Sequence, residues 1–356
     1  MTQMCLILRK IKVSSPPAPY IQDADAVTSA FARIQHKPTF IVGNLRYVTT
    51  NAHPAAPVAA PVAGDEPSYP VLLYLEGASG FRQMSTFQVE ELVSHGYIVL
   101  ALDQPYTAAA VVFPNGRQAT MPSLETVRPM IRASYIPPEQ TPTLNGRSLQ
   151  GGTIIPYLAH DVSVALDQLT LLNQADPNGI LTGRLDMKRV GSFGVSLGGI
   201  VVSKACQSDL RLGACLMMDA PVPTDVVRAG LRQPSMWITR DEEDMRLERQ
   251  RAGGWSEEEI HTHLTSMRAA YDGLTGAGYF VRVTGTFHSN FTDVPNWSPL
   301  ASWLGLTGPI DGQRAHSIIN AYSLAFFDRH LKGLAMALLD GPAERYPEVR
   351  FESRTS

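Results

Sequence analysis

The sequence predicts an α/β fold: a mainly parallel central sheet with helices on both faces and an irregular insertion after an early strand. Short β-rich apolar runs alternate with amphipathic helical stretches along the chain. Those runs are apolar on both faces, as the strands of a covered parallel sheet are. The alternation breaks mainly between Gln104 and Pro156, where eight prolines fall without a sustained period.

Taken in order, "TFIVGNLRYVTT", "PVLLYLEG" and "GYIVLALDQP" are each bounded by Gly, Pro, Asn or Asp and read as strands. His53 to Pro70, rich in Pro and Ala, reads as an exposed connection between the first two. Gln83 to His95 has helical spacing at Phe87, Leu92 and Val93, and Gly96 stops it. Inside the insertion, "VVFPNGRQATM" resembles a hairpin around Asn115-Gly116. The units then resume with a helix over Tyr157–Gln174, a strand "RVGSF", a helix over Leu197–Ser208 and a strand "GACLMMD". A strand "PSMWIT", a charged helix over Ser256–Leu274, a strand "YFVRV" and an amphipathic helix over Asp311–Lys332 complete the chain. No internal repeat and no dividing linker interrupts it. Residues 1–356 are therefore expected to form one domain, with N-terminal strands and the Pro/Ala connection in residues 1–68 and the insertion of residues 104–156 covering the site.

The formal charge of −3 gives no surface suited to a polyanion, so nucleic acid is not an expected partner. Cys5, Cys206 and Cys215 are odd in number and lack C-x-x-C spacing, which argues against disulfides and structural zinc and for Cys206 and Cys215 as buried apolar residues. The start "MTQMCLILRKIKV" places its basic residues after a short apolar run, the reverse of a secretory signal, and reads as cytoplasmic. No apolar run approaches the ~18 residues of a membrane span.

The chemistry centres on "RVGSFGVSLGGI". An apolar strand leads into Gly194-Val195-Ser196-Leu197-Gly198 and an apolar helix leads out, the setting of a nucleophile elbow. The two glycines allow a sharp turn that lifts the Ser196 hydroxyl clear of the backbone, and Leu197 opens the helix with a free N–H. A glycine-rich structural turn or a phosphate loop is the plainer reading, but a phosphate loop requires a lysine before the serine and none is there. A nucleophilic serine needs a base, and His288 in "YFVRVTGTFHSNFTD" follows a late strand by a short turn. His261 and His263, two apart on a helix, point in different directions and cannot form a metal pair. For the acid, Asp219 directly follows "ACLMM" in apolar surroundings and is favoured. Asp241 and Asp244 follow "MWIT" in a run of mixed charge that reads as a solvated helix start. The turn "YLEGASGFR" is expected to give a second oxyanion donor, the N–H of Ala78.

Together these residues resemble the platelet-activating factor acetylhydrolase-like branch of the α/β hydrolases. The resemblance is carried by "YPVLLYLEGASGFRQMSTFQVEELVSHGYIVLALDQP", "GVSLGG", "MMDAPV" and "FHSNFTD", from Tyr69 to Asp293. It implies an α/β-hydrolase fold, and the step from Ser196 to Asp219 also looks like the family's. Two positions depart from its pattern: Glu76-Gly77 stands where the family has His-Gly, and Leu197 where Phe is frequent. The expectation is a cofactor-free and metal-free serine esterase on a small-molecule, lipid or polyester ester, with Ser196 as nucleophile, His288 as base and Asp219 orienting it. The alternatives are an amidase or thioesterase using the same three residues, or a binding protein on a hydrolase scaffold. Glu76 is the feature pointing to the last.

Overall fold

Five consecutive strand residues, Val71–Leu75, are fully buried, so this strand must lie inside a sheet covered on both sides. The computed structural model describes residues 16–59, 68–138, 140–144 and 146–354. Its central sheet contains β1 (Tyr69–Leu75), β2 (Ile98–Leu102), β3 (Leu185–Val195), β4 (Leu212–Met218), β5 (Ser235–Thr239), β6 (Gly278–Val283) and β7 (Val349–Arg354). The spatial order is β7-β6-β5-β4-β3-β1-β2. All neighbours are parallel except β6 and β7, so β7 is an antiparallel edge.

Alternation along the strands divides the core. Val71, Leu73 and Leu75 pack with one apolar cluster and Leu72 and Tyr74 with the other. The first cluster takes in α1 (Ala24–Ile34), α3 (Ile155–Gln174), α4 (Leu197–Ser208) and the C-terminal half of α6 (Glu257–Asp272). The second is closed by α2 (Thr86–Ser94) and α7 (Gly312–Lys332). Between β5 and α6 lies α5 (Glu242–Ala252). Gly96, at φ 86°, ends α2 as expected.

The insertion holds the expected hairpin, Ala110–Val112 against Gln118–Thr120, and a short helix, Leu124–Arg132. It is tied to the strand ends at two places: Ser79 N–H donates to Thr107 O at 2.7 Å, and Thr224 N–H to Ser134 O at 2.8 Å.

Two expectations are corrected. "TFIVGNLRYVTT" is not a strand: Phe40–Gly43 is α-helical, Asn44–Tyr47 is a 3₁₀ turn, and only Thr49 makes a bridge, to Pro19. Local bonds such as Gly43 N–H to Thr39 O, 2.8 Å, satisfy the backbone, and the apolar Phe40 and Tyr47 stay exposed rather than facing a sheet. Cys206 and Cys215 are buried, as expected, but they are disulfide-bonded. Parity misled: α4 and β4 are successive packed elements, and they hold the two Cα atoms 6.6 Å apart, within bonding range. Cys5 and the start read as lacking a signal lie outside the described residues, as does part of the Pro/Ala connection, residues 60–67. Within the described part of that connection, Ala56 and Val58 are buried against the domain. No helix among the described residues is long and apolar enough to cross a membrane.

Candidate active site

Parallel strands deliver their following loops to one edge of the sheet, and all the candidate residues lie there. Ser196 directly follows β3, at φ 57°, ψ −123°, a conformation an L-residue adopts only where its surroundings compel it. They do so on both sides. The Ser196 N–H donates to Met218 O on β4 at 3.0 Å, and its carbonyl accepts the first helical bond of α4 from Ile200 N–H at 3.1 Å. Gly198 is required because a Cβ there would lie 2.0 Å from the carbonyl oxygen of Leu75 at the end of β1. Gly194 is required for the same approach, since its Cβ would lie 2.6 Å from Gly198 C. Ser196 is half-buried, and Leu197, at the first position of α4, has one of the amides that a helix leaves without an internal partner.

The turn after β1 passes directly beside the serine: a Cβ on Gly77 would come within 3.2 Å of Ser196 Cβ. Ala78 follows, half-buried. Ser79, at φ 63°, accepts from Gln35 Nε2 at 2.7 Å, which with the Thr107 bond fixes the turn from outside. Glu76 is buried, with Oε1 3.4 Å from the Gln104 N–H. Burial pushes its carboxyl well above the usual range and the Asp103 charge adds to that. Asp103 is itself pushed up by burial and held back by its contacts with Arg82.

His288 and Asp219 meet. Nδ1 of His288 lies 2.5 Å from Asp219 Oδ2, which fixes the Nδ1–H tautomer because a carboxylate only accepts. Asp219 has no exposed surface, sits at φ 44°, and also accepts from Thr239 Oγ1 at 3.1 Å. Burial alone would raise its carboxyl, but the Arg240 guanidinium, with Nε 3.0 Å from Oδ2, and the two nearby imidazoles outweigh it. The net result holds Asp219 well below the usual carboxylate range. Among the described residues, Ser196 Oγ and His288 make no direct hydrogen bond.

The rival acids do other work, and neither is solvated as the charge run suggested. Asp241 is the buried N-cap residue of α5 and accepts from Thr284 Oγ1 at 3.0 Å. Asp244 accepts from the Gly285 N–H at 2.8 Å. Both brace the loop leading to His288 and neither touches the imidazole.

Sequence reading missed four neighbours. Arg240, fully buried, pairs with both Asp219 and Glu248, and Glu248 Oε1 accepts from the His288 N–H at 3.3 Å. His263 Nε2 lies 3.3 Å from Asp219 Oδ1, while His261 is exposed, so the pair does diverge as expected. Trp255 stands edge-on to both imidazoles, at centroid distances of 5.4 Å to His288 and 5.5 Å to His263. A signal existed for His263: Ile260 and Met267, three before and four after it, make it part of the buried stripe of α6. Among the described residues, no group of three or more His, Cys, Asp or Glu side chains is arranged so that it could hold a metal ion.

The family described as platelet-activating factor acetylhydrolase, isoform II, matches residues 28–337. A probable 1-alkyl-2-acetylglycerophosphocholine esterase of Arthroderma benhamiae is 24% identical over 81% of this chain and 67% of its own length. A platelet-activating factor acetylhydrolase of Gallus gallus is 22% identical over 80% of this chain and 67% of its own. Among solved structures, a ferulic acid esterase from Streptomyces cinnamoneus superposes with a TM-score of 0.70 at 26% identity, over 96% of this chain and 86% of that one.

Proposed function

The chain belongs to the isoform II platelet-activating factor acetylhydrolase family and is a carboxylic-ester hydrolase, and from that premise we propose that it works through Ser196, His288 and Asp219. The observation that carries the assignment is the 2.5 Å contact of His288 with a fully buried Asp219, at the strand end beside a strained Ser196. Ser196 Oγ attacks the ester carbonyl carbon and His288 Nε2 takes its proton. The Asp219 charge holds the tautomer and stabilises the imidazolium that forms. The N–H groups of Ala78 and Leu197 receive the developing oxyanion. His288 then protonates the leaving alkoxide, and an acyl-enzyme remains on Ser196. Water, deprotonated by His288, attacks that acyl carbon; the bond to Ser196 Oγ then breaks, His288 returns the proton to Oγ, and the acid is released. No residue in this sequence of steps requires a metal or cofactor. The relatives named for acetyl-phospholipid and ferulate esters suggest a carboxylic ester as the substrate class.

Ser196→Ala is expected to lower ester turnover by about a million-fold, and Asp219→Asn by about ten-thousand-fold. Asp241→Asn should have a much smaller effect. A fluorophosphonate label should map to Ser196. Turnover in Ser196→Ala at the wild-type level would refute the assignment, and a larger loss in Asp241→Asn than in Asp219→Asn would transfer the acid role.

A further inference from the structure

The contacts around Asp219 form a closed circuit of buried charges. The His288 ring meets Asp219, Asp219 meets Arg240 Nε at 3.0 Å, and Arg240 Nη1 donates to Glu248 Oε2. Glu248 Oε1 returns to the His288 backbone N–H at 3.3 Å. The four residues come from the end of β4, the end of β5, α5 and the loop after β6, so the circuit ties together elements remote in sequence. Trp255 lies over the guanidinium, 5.2 Å from Cζ to the ring centre, and shields it together with the imidazole.

Such an arrangement is poor value as a structural brace. Taking a guanidinium and two carboxylates out of water is costly, and well-packed apolar residues hold elements together at least as well. Its charge balance is what suits the reaction. At rest, Asp219 and Glu248 outweigh Arg240 by one negative charge beside a neutral imidazole. When His288 accepts a proton the buried set becomes neutral, at the moment the transition state forms.

Building on the assignment of His288 as general base, we propose that Arg240 and Glu248 are positioning residues that set the charge and orientation of the His288–Asp219 pair. Arg240 keeps Asp219 ionised despite complete burial, and Glu248 cancels the guanidinium charge that would otherwise oppose an imidazolium. The other charged groups nearby are turned away or neutral. Asp241 faces Thr284, Arg282 and Arg350, Asp244 faces the Gly285 N–H, and Glu242 pairs with Arg246 on the exposed side of α5. His263 is buried beside Asp219, and that burial favours its neutral form.

The test is the pH profile of kcat/KM on a soluble ester. Glu248→Gln keeps an oxygen for the His288 N–H but leaves the Arg240 charge uncancelled. The acid limb should move about one unit toward lower pH and the plateau kcat should fall about tenfold, with KM changed by less than about twofold. Arg240→Gln also lets the buried Asp219 take up a proton, so it should lower kcat more than Glu248→Gln does. A merely structural role would lower activity or stability without displacing the limb in Glu248→Gln. Should Arg240→Gln fail to fold, Glu248→Gln carries the test alone. An unmoved or upward-moving limb in folded Glu248→Gln overturns the proposal. If fluorophosphonate still labels Ser196 in that case, only the positioning role is lost; if Ser196→Ala itself retains turnover, the underlying assignment has failed.

Discussion

His316 makes a quantitative prediction about acid stability. It sits on α7 with Nε2 donating to Thr292 O at 2.9 Å and its ring stacked on Phe87, 3.7 Å between centroids. Burial pushes its imidazole down from the ordinary value near 6.5 to about 4. In the unfolded chain the group takes up its proton below about pH 6.5, whereas in the folded chain it resists until about pH 4. The stabilisation is therefore fully present above pH 6.5 and is lost as pH falls through that window. At 1.36 kcal/mol per unit, about 2 kcal/mol disappears between pH 7.5 and pH 5, and about 3 kcal/mol by pH 4. That is a large part of a typical stability of ~5–15 kcal/mol. His316→Gln keeps a donor for Thr292 O and removes the titration. Urea unfolding of both proteins at pH 5 and 7.5 gives the difference directly. The stability gap between wild type and variant should shift by about 2 kcal/mol in the variant's favour at the lower pH. An equal loss in the two proteins refutes the reasoning, whatever His330, also pushed down to about 4 by burial and Arg329, contributes to both.

Two further substitutions test the frame of the site. Gly198→Ala would put a Cβ 2.0 Å from Leu75 O with no side chain able to yield, so a loss of about 3 kcal/mol or more is expected together with fluorophosphonate labelling. Gly341→Ala, where nothing lies within 4 Å, is the silent control in both thermal melts and labelling. Replacing Cys206 and Cys215 by alanine opens a short covalent loop and should cost about 3 kcal/mol in unfolding experiments. Mass mapping after alkylation in denaturant without reductant should find both cysteines unmodified; alkylation of either would contradict the disulfide.

The fold was legible wherever hydrophobic period and length agreed. Six of the seven central strands announce themselves as apolar runs between breakers, and α4 was readable from Leu197 to Ser208 because the elbow fixes its start and packing its apolar face. The seventh, Val349–Arg354, alternates in charge and apolar residues at the sheet's edge, half in water, and leaves little signal. Residues 39–50 were misread because apolar density was taken for strand when there was no neighbouring strand to pair with. The disulfide was invisible for a related reason: parity is a property of the whole chain, while bonding depends on whether two elements happen to pack side by side.

Legibility of the site follows a sharper physical division. Ser196, Leu197 and Ala78 could be proposed for their roles because local backbone geometry suits them, and local geometry is written in neighbouring glycines. Asp219 could be preferred over Asp241 because apolar flanks imply burial; Asp219 is buried as expected, while Asp241, read as solvated, is buried too but at the α5 N-cap away from the imidazole. What those flanks could not reveal is how a carboxylate survives there. An apolar setting by itself would neutralise it, and a protonated Asp219 could no longer stabilise an imidazolium. The burial that favours Asp219 as the proposed acid therefore demands a cation from elsewhere. Arg240 supplies it from the end of the neighbouring strand, and a second carboxylate, Glu248, answers that cation in turn. These residues come from separate elements, so no local pattern joins them. The first could still have been sought as the one positive charge that a buried, working aspartate requires, at the end of a strand beside its own. "MWITRD" offers it.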